Sequence, residues 1–145
     1  MIVNGLIVIF TFFFMEFVAW FAHKYVMHGF LWFLHKDHHQ VDHNKKFQKN
    51  DYFFLIFAIP SILCFVYGVE NYSFLFFIGI GIALYGLAYF IIHEIIIHRR
   101  LPPPSKTKNK YIIAIRKAHK IHHKNRNKEH CINFGMLIVP RKYFK

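Results

Sequence analysis

Acidic residues are scarce in this chain: seven Asp and Glu stand against 19 Lys and Arg in 145 residues, a formal net charge of +12. So few carboxylates leave little for a carboxylate-bridged metal site, and the Glu-x-x-His pair used in such helical bundles does not occur. Cysteine is nearly absent too. Cys64 and Cys131 cannot form a disulfide framework, and neither has the CxxC spacing of a zinc or redox site. There is no dinucleotide-binding glycine fingerprint and no haem or iron–sulfur motif, so any redox chemistry must draw its electrons from a partner. Disorder is excluded by what is present, since 55% of the residues are hydrophobic and 20% aromatic, 19 of them Phe.

Charge is missing from three long stretches. Met1–Ala22 carries only Glu16, and neither Tyr52–Val69 nor Asn71–His93 carries any charge. A bilayer core takes roughly 17–25 apolar residues as helix, so each stretch is long enough to span. The expected fold is an all-α integral membrane protein, with about three long transmembrane helices and short cytoplasmic helices. Residues 1–145 are read as a single membrane domain, being too few for two of ordinary size. Met1–Ala22 lacks a basic leader and is interrupted by Glu16, so it reads as a retained helix rather than a cleaved signal peptide.

All 19 Lys and Arg fall between Lys24 and Lys49 or between Arg99 and Lys145. The positive-inside rule then puts the N-terminus outside, and both basic stretches with the C-terminus on the cytoplasmic side of the cell membrane. Within those stretches, helix one is expected to run past Ala22 toward Met27 and stop near Gly29. Leu31–His39 reads as a short helix, Val41–Lys49 as a loop and Tyr111–His123 as an amphipathic helix. Pro60 falls inside the second span, and Pro102–Pro104 is expected to end the third helix. Cys131–Pro140 is apolar but too short to span. Because topology and attraction to anionic membrane lipids account for the basic charge, and no binding motif accompanies it, nucleic acid is not an expected partner.

Twelve histidines need a reason, and ten of them form two copies of one pattern. His23-x4-His28 is followed by His35-x2-His38-His39; His93-x4-His98 is followed by His119-x2-His122-His123. In each HxxHH the spacing puts three imidazoles on one helical face, a natural wall for a metal ion. The HxxxxH pairs are harder: on a straight α-helix their members stand roughly 140° and about 7.5 Å apart. Either each pair serves two different ions, or the helix is broken or π-bulged between them. Ten ligands are too many for one ion and suit two. Zinc fits such ligands but has no redox chemistry; iron can activate dioxygen. His43 and His130 stand outside the pattern and read as solvated. A membrane metal transporter or metal-binding protein is the non-enzymatic alternative, but transport ligands belong near the bilayer midplane, not at one end.

The run from His23 through His39, the stretch from His93 to Pro102, and Ala118–His123 resemble the bacterial β-carotene 3-hydroxylases, within the fatty acid hydroxylase superfamily of membrane histidine-box di-iron enzymes. Asn50-Asp51, Tyr85-Gly86 with Tyr89, Lys128-Glu129 with Cys131, and Phe134-Gly135 match as well. Two positions depart from the pattern: Glu94, where Asp is usual, and His130, where Gly is common. The resemblance implies a monooxygenase of carotenoid biosynthesis that uses O2 to hydroxylate β-ionone rings at carbon 3, giving β-cryptoxanthin and then zeaxanthin. It implies two iron ions, zinc being a possible substitute, on His23, His28, His35, His38, His39, His93, His98, His119, His122 and His123. It further implies a carotenoid held within the bilayer and electrons from a ferredoxin or similar donor with its reductase. No catalytic side chain is expected beyond the metal centre. Glu16, two turns before His23 on the same face, and Glu94, beside His93, are candidates for orienting a bound imidazole by hydrogen bonding. A ring ketolase, or a sterol or fatty acid hydroxylase, is the nearest alternative.

Overall fold

A computed structural model describes residues 2–42, 45, 47–100 and 107–144 of the chain. Among the described residues every regular element is helical. Helix α1 (Ile2–Phe21) continues as a π-helix (Ala22–Phe30) and is followed by α2 (Trp32–His39). A 3₁₀ turn (Lys49–Phe53) leads into α3 (Phe54–Gly68), and α4 (Phe74–Phe90) again continues as a π-helix (Ile91–Ile97). Helix α5 (Lys110–Lys124) and a closing 3₁₀ turn (Arg141–Phe144) complete the order.

Among the described residues, three helices are long and apolar enough to cross a membrane: Ile2–Phe30, Lys49–Gly68 and Phe74–Ile97. Each lies a few residues from the span expected from charge alone, and each extends on its basic side by carrying histidine-bearing or polar turns. Their outward faces are rows of exposed Phe, Leu and Ile, as surfaces in contact with lipid are. The third span ends at Ile97, ahead of the Pro102–Pro104 run expected to terminate it; that run and His43 lie outside the described residues.

Helix α4 packs against both α1 and α3. Two glycines let it do so. A Cβ on Gly81 would stand 2.6 Å from the Thr11 Cβ on α1, and one on Gly79 would stand 3.2 Å from the Cys64 Cβ on α3. Small residues at such crossings let helix backbones approach where lipid offers no hydrophobic drive. Ser61 Oγ donates to the Gly79 carbonyl at 3.0 Å, so the polar group in this interface is satisfied. Beside this crossing Met15, Ala19, Ile82 and Tyr85 form a buried cluster, on which Leu137 from the C-terminal segment also rests.

Helix α5 begins at an Asn109 cap, whose Oδ1 accepts from the N–H groups of Tyr111 at 2.9 Å and Ile112 at 3.3 Å. Its apolar face, Ala114 and Ala118, packs on Tyr143. The same buried side carries His119 and His122, which pack against the other histidines. The segment after α5 is irregular and folds back over the histidines as far as α1, where the Met136 N–H reaches Glu16.

Candidate metal centre

The two π-helical stretches resolve the HxxxxH problem. A π-turn closes by an i→i+5 hydrogen bond, so residues five apart come to lie over one another. The His98 N–H donates to the His93 carbonyl at 2.9 Å, a π-bond between the two histidines of the pair. Their rings stand 4.5 Å apart, and those of His23 and His28 stand 5.2 Å apart. Gly29 ends the first π-turn with non-helical torsions (φ −97, ψ −123), letting α2 fold back beside it.

All ten patterned histidines converge, and they converge as two groups. Ligand atoms of His23, His28, His35, His39 and His122 lie within 4.8 Å of one another, as do those of His38, His98, His119 and His123. His93 borders the second group, its Nε2 3.2 Å from that of His38. The His39 and His123 rings, stacked at 4.4 Å, join the two groups. The pattern crosses over: each HxxHH sends its first and last histidine to its own group and its middle one, His38 or His122, to the other. The single wall expected from the spacing is thus shared between two groups: residues i and i+4 differ by about 40° around the axis, whereas i+3 stands about 60° to the other side of i, so the edge of the face turns to the neighbouring group.

The outer ring nitrogens are pinned. Nδ1–H groups donate to backbone carbonyls from His23 (Phe134, 3.0 Å), His28 (Lys128, 3.1 Å), His39 (Asn125, 2.9 Å) and His122 (Ile132, 2.8 Å). His35 Nδ1 pairs with Asn50 Oδ1 at 2.6 Å, His38 Nδ1 with Gln48 Oε1 at 2.9 Å, and His93 Nδ1 with Glu94 Oε1 at 2.5 Å. Carbonyl oxygen can only accept, so the Nδ1 facing it carries the proton and Nε2 is left as a bare lone pair.

That tautomer decides whether a metal fits. His28 and His122 both give Nδ1–H to carbonyls, yet their Nε2 atoms lie 3.2 Å apart. Two lone pairs facing at that distance repel unless a cation sits between or beside them. The Nε2 atoms of His23, His35, His39 and His123 are buried with no hydrogen-bond partner among the described residues. Unsatisfied buried polar atoms are rare in native proteins and call for an explanation such as an ion. Burial reinforces the point. It holds His39 near 4, His98 and His122 near 3 and His35 near 2, and it holds His38, His119 and His123 well below the ordinary imidazole range. Mutual repulsion among the imidazoles pushes the same way, so these groups are neutral at pH 7 and free to ligate. The donor set is a nitrogen-only, metal-binding cluster.

A family model of fatty acid hydroxylases matches residues 8–140. The chain belongs to the fatty acid hydroxylase family. Among curated relatives, a "Beta-carotene hydroxylase" of Pantoea ananas is 40% identical over 137 residues, covering 94% of this chain and 78% of that protein. One from Pseudescherichia vulneris is 37% identical over 141 residues (97% and 80%), and one from Paracoccus sp. strain PC1 is 35% identical over 136 residues (93% and 83%). No solved structure matches the chain. This fatty acid hydroxylase family member is thus a membrane hydroxylase, an oxidoreductase with a metal-binding histidine cluster.

The two acidic candidates of this hydroxylase part company. Glu94 Oε1 contacts His93 Nδ1, and Arg100 Nε lies 3.1 Å from its Oε2. Glu16 hydrogen-bonds to no imidazole among the described residues. Its Oε2 accepts from the Tyr85 hydroxyl at 2.8 Å, and its Oε1 from the N–H groups of Met136, Leu137 and Ile138. The physical reason is that the C-terminal segment, not a histidine ring, occupies the space beside it. His130, placed outside both groups, is exposed and has φ 62, a left-handed conformation that favours the Gly common there.

Sequence reasoning gave no role to Gln48, Asn50 or the carbonyls of residues 125–134. Asn50 carried a signal, since Asn50-Asp51 matches the family pattern. The carbonyls carried none, because every residue has one.

Proposed function

We propose that this hydroxylase converts β-carotene to β-cryptoxanthin and then zeaxanthin, inserting oxygen from O2 at carbon 3 of the β-ionone rings. The observation that carries this reading is the pairing of two converging histidine groups with β-carotene hydroxylase relatives across nearly the whole chain. His23, His28, His35, His39 and His122 would hold one iron, and His38, His93, His98, His119 and His123 the other. Bound iron would supply the activation of dioxygen and the oxidising power that an unactivated ring C–H bond demands.

The residues themselves do the rest. Nδ1–H bonds hold His23, His28, His35, His38, His39, His93 and His122 in the tautomer that presents Nε2, fixing their ring orientation. His35, His38 and His122 are almost wholly buried, at 1%, 1% and 0% exposure, which keeps bulk water from the reacting atoms. With the ten imidazoles serving as ligands, no side-chain acid or base would be required to break the C–H bond. The substrate is a bilayer-dissolved hydrocarbon entering laterally between apolar helices. A lipid-facing groove of about 620 Å³ between α1 and α4, lined by Val3, Phe10, Phe14 and Ile78, suits an apolar tail; it lies at the end away from the histidines and holds no reactive group.

The basic charge of the two histidine-bearing stretches supports a topology with the histidine groups and the C-terminus on the cytoplasmic face and the N-terminus outside. Electrons come from a ferredoxin-like donor and its reductase, an acidic carrier being steered by the basic face.

The test is pigment analysis in a β-carotene-producing bacterial host that supplies a working electron donor. The parent chain is expected to yield β-cryptoxanthin and zeaxanthin, and His122→Ala none. A ring ketone from the parent would overturn the regiochemistry. Unchanged β-carotene from well-expressed, iron-loaded protein would overturn the carotenoid substrate.

A further inference from the structure

The two histidine groups are held in place by different parts of the chain. Four of the five members of the first group, His23, His28, His39 and His122, give their Nδ1–H to carbonyls of residues 134, 128, 125 and 132. The fifth, His35, bonds to the Asn50 side chain. In the second group His38 bonds to Gln48 and His93 to Glu94, and neither uses the C-terminal segment. That segment is irregular backbone beside membrane helices, where non-helical N–H groups survive only if protein satisfies them.

Glu16 satisfies three in succession. Its Oε1 accepts from Met136 N–H at 2.9 Å, Leu137 N–H at 2.8 Å and Ile138 N–H at 3.1 Å. Tyr85, 1% exposed, donates its hydroxyl to Oε2 at 2.8 Å, so the carboxylate is buried as a pure acceptor. Gly135 makes the approach possible: a Cβ there would stand 3.0 Å from the Ile138 carbonyl and 3.3 Å from Glu16 Oε1. Two residues upstream of this clamp, the Phe134 carbonyl meets His23, two turns along from Glu16 on the same helix. The chain thereby closes a rigid triangle: α1, Glu16, the C-terminal segment, and back to α1 at His23.

We infer that Glu16 is a positioning residue for one ion site only: by clamping residues 136–138 it holds the carbonyls that orient the first histidine group, leaving the second group independent of it. This rests on the two-ion reading proposed above. Loss of partners that orient ligating histidines costs 10–100-fold in metal affinity, so Glu16→Ala is expected to weaken one site by that factor and leave the other unchanged.

The experiment counts zinc ions on detergent-purified protein by elemental analysis under chelator-buffered Zn²⁺, alongside limited trypsin digestion at the exposed Lys124, Arg126 and Lys128. Parent protein is expected to hold two ions per chain and resist cleavage there. Glu16→Ala is expected to hold one and to be cut faster in residues 124–128. Glu16→Gln keeps an oxygen for the three N–H groups and should fall between them, whereas Tyr85→Phe, which removes one donor, should stay near two ions. If Glu16→Ala elutes as aggregate, Gly135→Ala decides, with the same loss of one ion and exposed segment required. Retention of both ions with unchanged protection, or parallel loss of both ions from a folded variant, overturns the inference. Parent protein binding fewer than two ions would overturn the two-ion reading and this inference with it. Two ions without carotenoid hydroxylation would overturn only the substrate.

Discussion

Removing the metal should make this protein acid-labile in a window where carboxylates do not titrate. His35, His39, His98 and His122 sit near 2, 4, 3 and 3 in the fold, against 6.5 for exposed imidazole. The unfolded chain therefore binds more protons below pH 6.5 than the folded one, and stability falls as pH falls. The contribution is fully present above pH 6.5 and is lost progressively on acidification toward the folded values. At pH 5.5, one unit below the unfolded value, each of the four costs about 1.4 kcal/mol. Together they cost about 5 kcal/mol, comparable with the whole stability of many domains. For a chain of this size that is a fall in Tm of roughly 10–20 °C. The assay is thermal unfolding in detergent between pH 7.5 and 5.5, with and without metal. Metal on the Nε2 atoms excludes the protons, so the loaded protein should hold its Tm across the same window. An equal fall in both forms, or a flat metal-free profile, would refute the claim that buried neutral imidazoles dominate the linkage.

Two further outcomes follow from single contacts. Asn50→Ala removes the Oδ1 that His35 Nδ1 meets at 2.6 Å, and metal affinity measured by chelator competition should drop 10–100-fold; a change within twofold would count against the tautomer argument. Gly81→Ala puts a Cβ 2.6 Å from Thr11 Cβ and 2.9 Å from the Val8 carbonyl, so α1 must retreat from α4 at about 1–3 kcal/mol. Gly86→Ala, with nothing within 4 Å of its Cβ, is the control and should leave the unfolding midpoint unchanged.

Much of this architecture is legible in the chain. The three spans follow from the absence of charge, because a bilayer tolerates little else, and α2 and α5 follow from their histidine and apolar periodicity. The HxxxxH pairs could be narrowed only to two alternatives. Whether an extra residue breaks a helix or is absorbed as a π-turn depends on what the next turn packs against, here α2 beside Gly29 and α5 beside His98. Glu16 illustrates the sharper limit. Its seven-residue offset suggests the face of His23, but its partners come from residues 136–138, about 120 positions away, through backbone N–H groups that no residue type advertises.

The crossover of His38 and His122 explains why the histidine pattern occurs twice rather than once. One repeat alone, with its π-turn pair and its HxxHH, can bring four imidazoles together, while its i+3 histidine, at the other edge of the face, turns to the neighbouring group. A second repeat facing the first turns that misdirected ring into the missing member of the opposite group. Each group is therefore complete only when α2 and α5 are docked against one another, the His39–His123 stack at 4.4 Å marking where they meet. A lone repeat would hold one ion poorly and leave one buried imidazole unsatisfied. On the two-ion reading proposed above, two repeats would hold two ions and leave none unsatisfied, which would tie a two-ion centre to the helical period itself.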